Sequence, residues 1–231
     1  GKELWKSDGT EAGTVMVKDI KSGTADSSPL DLTPFNGTLY FRADDGTNGE
    51  ELWKTDGTEA GTVMVKNIRS GTADSSPNSF TLFNGELYFQ ATDGSSFLNK
   101  GAELWKTDGT EAGTVMVKDI RSGMSSSYPY QFTLFNGELY FGANDGTKGN
   151  EVWKTDGTEA GTVMVKDIRS GSAACSPSYF TPFNGELYFQ ANDGSKGAEL
   201  WKSDGTEAGT VMVKDIYPGS GNSDPKLLTP F

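Results

Sequence analysis

ELWKTDGTEAGTVMVKDI, at residues 103–120, is written five times in this chain, with near-verbatim copies beginning at Glu3, Glu51, Glu151 and Glu199. Eleven residues, DGTEAGTVMVK, are identical in all five copies. The tryptophans fall at Trp5, Trp53, Trp105, Trp153 and Trp201, at spacings of 48, 52, 48 and 48 residues. The longer interval arises where SSFLNKGAE (95–103) carries four residues more than the matching SKGAE (195–199). A fixed period of this length is the mark of stacked supersecondary units, none of which can bury its apolar surface alone.

One unit holds four strand candidates, A to D. SFTLF (79–83) is followed by Asn84-Gly85 and then by ELYFQA (86–91). Asn-Gly between two apolar runs signals a hairpin, because a type I′ turn needs positive φ at both central residues. GAELWKT (101–107) and GTVMVKDI (113–120) follow, joined through DGTEA. No segment holds a 3.6-residue apolar period for three turns, and the abundant Val, Tyr, Phe, Trp and Thr favour strands. Apolar residues also stand side by side, as in Leu87-Tyr88-Phe89, Leu104-Trp105 and Val115-Met116-Val117. Side chains alternate between the faces of a sheet, so both faces of each small sheet require cover.

Four-stranded antiparallel sheets, covered on both faces and repeated every 48 residues, describe the blades of a β-propeller. A β-solenoid also repeats, but usually with shorter coils and without Asn-Gly hairpins. The expected fold is all-β: one propeller domain over 1–231, with five four-stranded antiparallel blades. Strand B occurs only four times, after Asn36, Asn84, Asn136 and Asn184. A closing blade with strand A from KLLTPF (226–231) and strands C and D from the start of the chain would therefore lack one strand. A window cut from a longer array, a strand donated by a partner chain, or an imperfect blade would each account for the gap.

ELWKSDGTEAGT and ELWKTDGTEAGT resemble the bacterial ELWxxDGT repeat family. Four copies match the pattern in full, and the fifth, EVWKTDGT at 151, departs only at Val152. The resemblance covers essentially the whole chain. It implies a propeller in large, usually exported bacterial proteins, hence an extracellular or cell-surface location, and it implies no known chemistry.

The net charge of −12, without a basic stripe, argues against nucleic acid and against an anionic membrane surface. No apolar run approaches the ~20 residues of a spanning helix. With no histidine, the chain cannot assemble Ser-His-Asp or Cys-His catalysis from its own residues. Its single cysteine, Cys175, stands where other copies carry serine and reads as incidental. The repeated Asp8, Asp56, Asp108, Asp156 and Asp204 read as Asx-turn acceptors, each followed by a glycine that supplies positive φ. Symmetric repetition gives such acids equivalent surroundings, which cannot divide acid from base, so the expectation is that the chain is not an enzyme. No cofactor is expected beyond calcium, whose best candidate is DDGTNGEE (44–51), although it departs from the DxDxDG loop. The tryptophans read as fillers between blades, with a sugar-stacking platform as the alternative.

The copies differ in the B–C and D–A loops, which an up-and-down blade places at one end. Loops on a rigid scaffold carry function, although loops also drift freely. Expected ligand contacts on that face are Phe97, Asn99, Tyr128, Tyr130 and Tyr179, with Asp26 and Asp74. The resulting expectation is a non-enzymatic module of a bacterial secreted or surface protein that recognises glycan or protein. Its alternatives are a purely structural spacer of an adhesin or appendage and, last, a glycosidase-like enzyme. Self-association or strand donation through the incomplete blade is a further mode of partnership.

Overall fold

The computed structural model describes residues 1–94 and 101–229, and every regular element among them is a strand. The first repeat supplies β1 (Leu4–Lys6) and β2 (Val15–Lys18). The second supplies β3 (Leu30–Phe35), β4 (Thr38–Asp44), β5 (Glu50–Thr55) and β6 (Val63–Lys66). The third supplies β7 (Asn78–Phe83), β8 (Glu86–Thr92), β9 (Ala102–Thr107) and β10 (Val115–Lys118). The fourth supplies β11 (Tyr130–Phe135), β12 (Glu138–Asn144), β13 (Asn150–Thr155) and β14 (Val163–Lys166). The fifth supplies β15 (Ser178–Phe183), β16 (Glu186–Asn192), β17 (Ala198–Ser203) and β18 (Val211–Lys214).

Each of the last four repeats is a four-stranded sheet with its strands in chain order, while β1 and β2 form a two-stranded sheet. These are the blades of a β-propeller. The hairpins form as the sequence predicts, with φ of 49° at Asn36 and 74° at Gly37, both in the left-handed region that a type I′ turn requires. KLLTPF departs from expectation. Residues 226–229 form no strand and Leu227 is 84% exposed, whereas Pro230 and Phe231 lie outside the described residues. A lone segment without a B strand beside it has no ladder to join.

The chain divides into two compact units, 1–116 and 117–231. In the first, β3 lies beside β7, and in the second, β11 lies beside β15, so the A strands of consecutive blades are neighbours and the D strands lie at the far edge. Blades join through apolar contacts. Phe35, Tyr40, Leu52 and Val65 of one blade meet Leu87, Phe89 and Trp105 of the next. In the second unit the same positions recur as Phe135, Tyr140, Val152 and Val165 against Leu187, Phe189 and Trp201. Trp53, Trp105, Trp153 and Trp201 are each 6% exposed.

One expectation about cover is corrected. Trp5 is 58% exposed, because among the described residues no B strand lies beside β1. The D strands have cover from both sides, as expected: Val65 packs with the next blade and Met64 against the preceding repeat, while Val63, Val115 and Val163 at the strand starts are exposed.

Candidate functional site

The constant DGTEAG connection between strands C and D is wired from within. Asp56 Oδ1 accepts from Thr58 N–H at 2.8 Å and from Thr58 Oγ1 at 2.7 Å. The same pair of bonds recurs at Asp8, Asp108, Asp156 and Asp204. The Thr58 hydroxyl and then its N–H hold the Asp56 carboxyl below its ordinary range. A Cβ at Gly61 would stand 2.0 Å from Asp56 Oδ1, which is why the second glycine of the connection is constant. Lys66 of one D strand donates to the Thr114 carbonyl of the next connection at 2.8 Å, and Lys166 does the same to Thr210 at 2.7 Å. The five repeated aspartates are thus turn formers, as the sequence predicts.

A second constant acid was not singled out by sequence reasoning. The glutamate of each ELW segment is buried, Glu51, Glu103, Glu151 and Glu199 completely. Glu51 Oε2 accepts from Ile68 N–H at 2.8 Å and from Ser75 Oγ at 2.7 Å, while Oε1 accepts from Arg69 N–H at 3.2 Å. It ties the end of strand D and the D–A connection to strand C. Burial pushes the Glu51 carboxyl up to about 7, against the pull of these bonds. Glu151 is pushed up to about 7 by the same cause. At Glu199 burial also raises the carboxyl, but the bonds from Ser223, Ile216 and Tyr217 together outweigh it and hold it low. The signal available in the sequence was an acid repeated directly before the Leu/Val-Trp pair in every copy.

Cys175 fills the role that serine has in the other copies. It is buried and takes the place of Ser75, with its thiol donating to Glu151 and its N–H 3.2 Å from Glu151 Oε1. Burial, then the charge of Glu151, pushes the thiol up. Close by is Tyr130, whose ring fills the space above Gly142: a Cβ there would stand 2.5 Å from Tyr130 Cζ. Burial first, then the charges of Cys175 and Glu151, raises the Tyr130 hydroxyl. Tyr130 and Gly142 are matched in packing, the ring lying where a side chain at 142 would stand.

The remaining expected contacts scatter. Tyr128 projects into solvent at 61% exposure, with φ of 48°. Tyr179 has φ of 59° and its N–H donates to Gln131 Oε1 at 2.7 Å. Asp26 and Asp74 act as caps, accepting from Lys2 N–H at 2.7 Å and from Glu50 N–H at 2.8 Å. Phe97 and Asn99 lie outside the described residues. In DDGTNGEE, Asp45 accepts four bonds from Thr47 and Asn48, and Asp44 pairs with Lys21.

One polar group occurs in a single blade. Arg42 of β4 stands where the other copies have Gln90, Gly142 and Gln190. Its Nη1 donates to Glu50 Oε1 at 2.9 Å. Its Nε lies 2.9 Å from Asp31 Oδ2, in an ion pair whose N–H is not aligned on the oxygen. Asp31 matches Ser79, Gln131 and Tyr179, and Glu50 matches Ala102, Asn150 and Ala198. The β-bulge at the start of β3 positions Asp31, with φ of 57°, and the Asp74 cap fixes the backbone at Glu50. The two carboxylates differ in setting: the Asp31 side chain is 40% exposed and that of Glu50 is 20% exposed. Burial pushes the Glu50 carboxyl up, opposed by Arg42 and aided by the charges of Asp74 and Asp31.

No family model and no curated protein matches the chain. Among solved structures, it is similar to a puromycin hydrolase at 16% identity and a TM-score of 0.51, over 91% of this chain and 34% of that one. It is also similar to an α-L-arabinofuranosidase from Clostridium thermocellum (18% identity, TM-score 0.36, 85% of this chain and 72% of that one). A third is a family 117 glycoside hydrolase from Zobellia galactanivorans (13% identity, TM-score 0.37, 92% and 75%). The chain thus spans about a third of the puromycin hydrolase, and at these identities the likeness is one of fold.

The expectation of a non-enzymatic recognition module or spacer is thereby corrected. The puromycin hydrolase that shares the fold is an enzyme, so the fold is one that enzymes use. The argument from equivalent carboxylates also fails, because Asp31 and Glu50 are not repeated and differ in exposure.

Proposed function

We propose that the chain forms the propeller part of a hydrolytic enzyme and that Asp31, Arg42 and Glu50 meet its substrate. The observation that carries this reading is the single occurrence of this cluster of two carboxylates on one guanidinium, in a chain whose turn-forming aspartates and strand-tying glutamates recur from blade to blade. The bond hydrolysed is glycosidic. Carboxylates in unequal surroundings suffice for that chemistry, whereas the chain has no histidine for an acyl-transfer triad. Glu50, whose burial favours its protonated form, suits the proton donor to a leaving oxygen. Asp31, more open to solvent, suits the carboxylate that engages water or the sugar carbon. Arg42 holds the pair together and offers guanidinium donors to sugar hydroxyls.

The experiment is a panel of aryl glycosides assayed with the chain and with Glu50→Gln, Asp31→Asn and Arg42→Gln variants. Turnover that falls at least about 100-fold in Glu50→Gln, with the fold intact, supports the proposal. Absence of turnover on every aryl glycoside, or equal turnover in the wild type and Glu50→Gln, refutes it.

A further inference from the structure

The edge of β1 is the place where the repeat is interrupted. In the complete blades a B strand always lies on the C strand in one register, with Leu39 opposite Thr55, Phe41 opposite Trp53 and Ala43 opposite Glu51. The register is the same on β9, β13 and β17. β1 has the same LWK sequence as β5, yet β2 is its only sheet partner among the described residues. Trp5 is 58% exposed where Trp53 is 6% exposed.

Beside this edge is a cavity of about 260 Å³, lined by Leu4, Val17, Leu32, Leu39 and Gly57 among others. One repeat further on, the equivalent residues Leu52, Val65, Phe80 and Leu87 pack around Tyr40 and Phe35. There the Tyr40 hydroxyl reaches the glycine of the next connection, so that a Cβ on Gly109 would stand 2.1 Å from it. Tyr140 approaches Gly205 in the same way, at 2.4 Å. The cavity by Gly57 is therefore shaped by the residues that elsewhere hold the tyrosine of a B strand.

We propose that β1 is an acceptor edge for an extended strand of the pattern Asn-Gly-x-Leu-Tyr-Phe-x-Ala, carried by a polypeptide segment other than residues 1–231. The four such segments within the chain already occupy β4, β8, β12 and β16. Strand addition supplies the backbone bonds, and side-chain pockets supply the choice of sequence. The incoming Phe faces Trp5, its Ala faces Glu3, and its Tyr enters the cavity towards Gly57. An exposed edge beside a ready aromatic slot is a template for pairing.

The test uses the whole chain and a synthetic peptide FNGELYFQAND, which copies residues 183–193. Iodide quenching of tryptophan reads Trp5, the exposed indole among five. The peptide is expected to shield that fluorescence and to bind Trp5→Phe as well, seen by calorimetry but without the change in quenching. A peptide with its Tyr replaced by Ala is expected to bind at least about tenfold more weakly, for loss of the cavity-filling ring. No shielding at peptide concentrations up to about 1 mM, or equal binding of a scrambled peptide, overturns the proposal. Shielding that grows with chain concentration in the absence of peptide also overturns it, because the occupant would then be a second copy.

Discussion

Gly142 and Tyr130 test whether the departures from the repeat are coupled packing choices. The two residues face each other across the first ladder of the fourth blade, and Gly142 is buried. A methyl group on Gly142 would stand 2.5 Å from Tyr130 Cζ and 2.6 Å from Cε1, so the ring must swing out and give up its burial. Overpacking of this kind costs about 1–3 kcal/mol. Gly142 has no positive φ, and in a strand interior glycine is about 0.5–1 kcal/mol worse than alanine. Gly142→Ala is therefore expected to destabilise the native chain and to stabilise a Tyr130→Ser chain, which carries the serine found at Ser178. The coupling should amount to roughly 1–3 kcal/mol, the overpacking cost alone, since the gain of alanine over glycine is common to both backgrounds. Urea unfolding of the four members of the cycle, with unchanged slopes, measures it. If Gly142→Ala costs the same in both backgrounds to within about 0.5 kcal/mol, the steric account is wrong.

Three further outcomes are expected. Trp105→Ala should lose about 3–5 kcal/mol, whereas Trp5→Ala should stay within about 0.5 kcal/mol, as chemical unfolding will show. Gly161→Ala drives a methyl group into the Asp156 carboxylate at 2.1 Å from Oδ1 and should lower the melting temperature; the added substitution Asp156→Ser, by removing the clash, should restore most of the loss. The buried glutamates give a pH dependence with a definite sign. Glu51 and Glu151 hold their protons up to about 7 when folded but only to about 4.5 when unfolded. The folded chain binds more protons between those values, so stability is greatest below about 4.5 on this account and falls as pH rises to about 7. The slope is at most about 1.4 kcal/mol per pH unit for each group. Urea midpoints that rise from pH 5 to 7 would contradict it.

The fold was legible because its signals are local and repeated. Asn-Gly at 84–85 demands a hairpin wherever it falls, and Leu87-Tyr88-Phe89 demands cover on both faces without reference to distant residues. The expected role of the tryptophans follows from the same logic and holds for Trp53, Trp105 and Trp201, which pack between blades. It fails at Trp5, where cover depends on a strand the repeat does not supply. The candidate site was less legible for a different reason. Aromatic and acidic loop residues attract notice, yet Asp26 and Asp74 turn out to cap backbone N–H groups, a role the residue type alone cannot reveal. Asp31, Arg42 and Glu50 lie 8 to 19 residues apart on three strands, and only the sheet register brings them together.

The two non-repeated sets also differ in what stability explains. Tyr130 and Gly142 are reciprocal, since a large ring takes the space that a side chain at 142 would need. Arg42, Asp31 and Glu50 are joined by charge instead. Their ion pairs are partly open to solvent, and such pairs contribute about 0–1 kcal/mol. Packing therefore does not account for their presence. If they serve a substrate, a chain carrying Asp31→Ser, Arg42→Gln and Glu50→Ala, each taken from another copy, should fold with stability within about 1 kcal/mol of the native chain and lose hydrolysis. A loss of more than about 2 kcal/mol would assign the cluster to the fold instead and remove the ground for a functional reading.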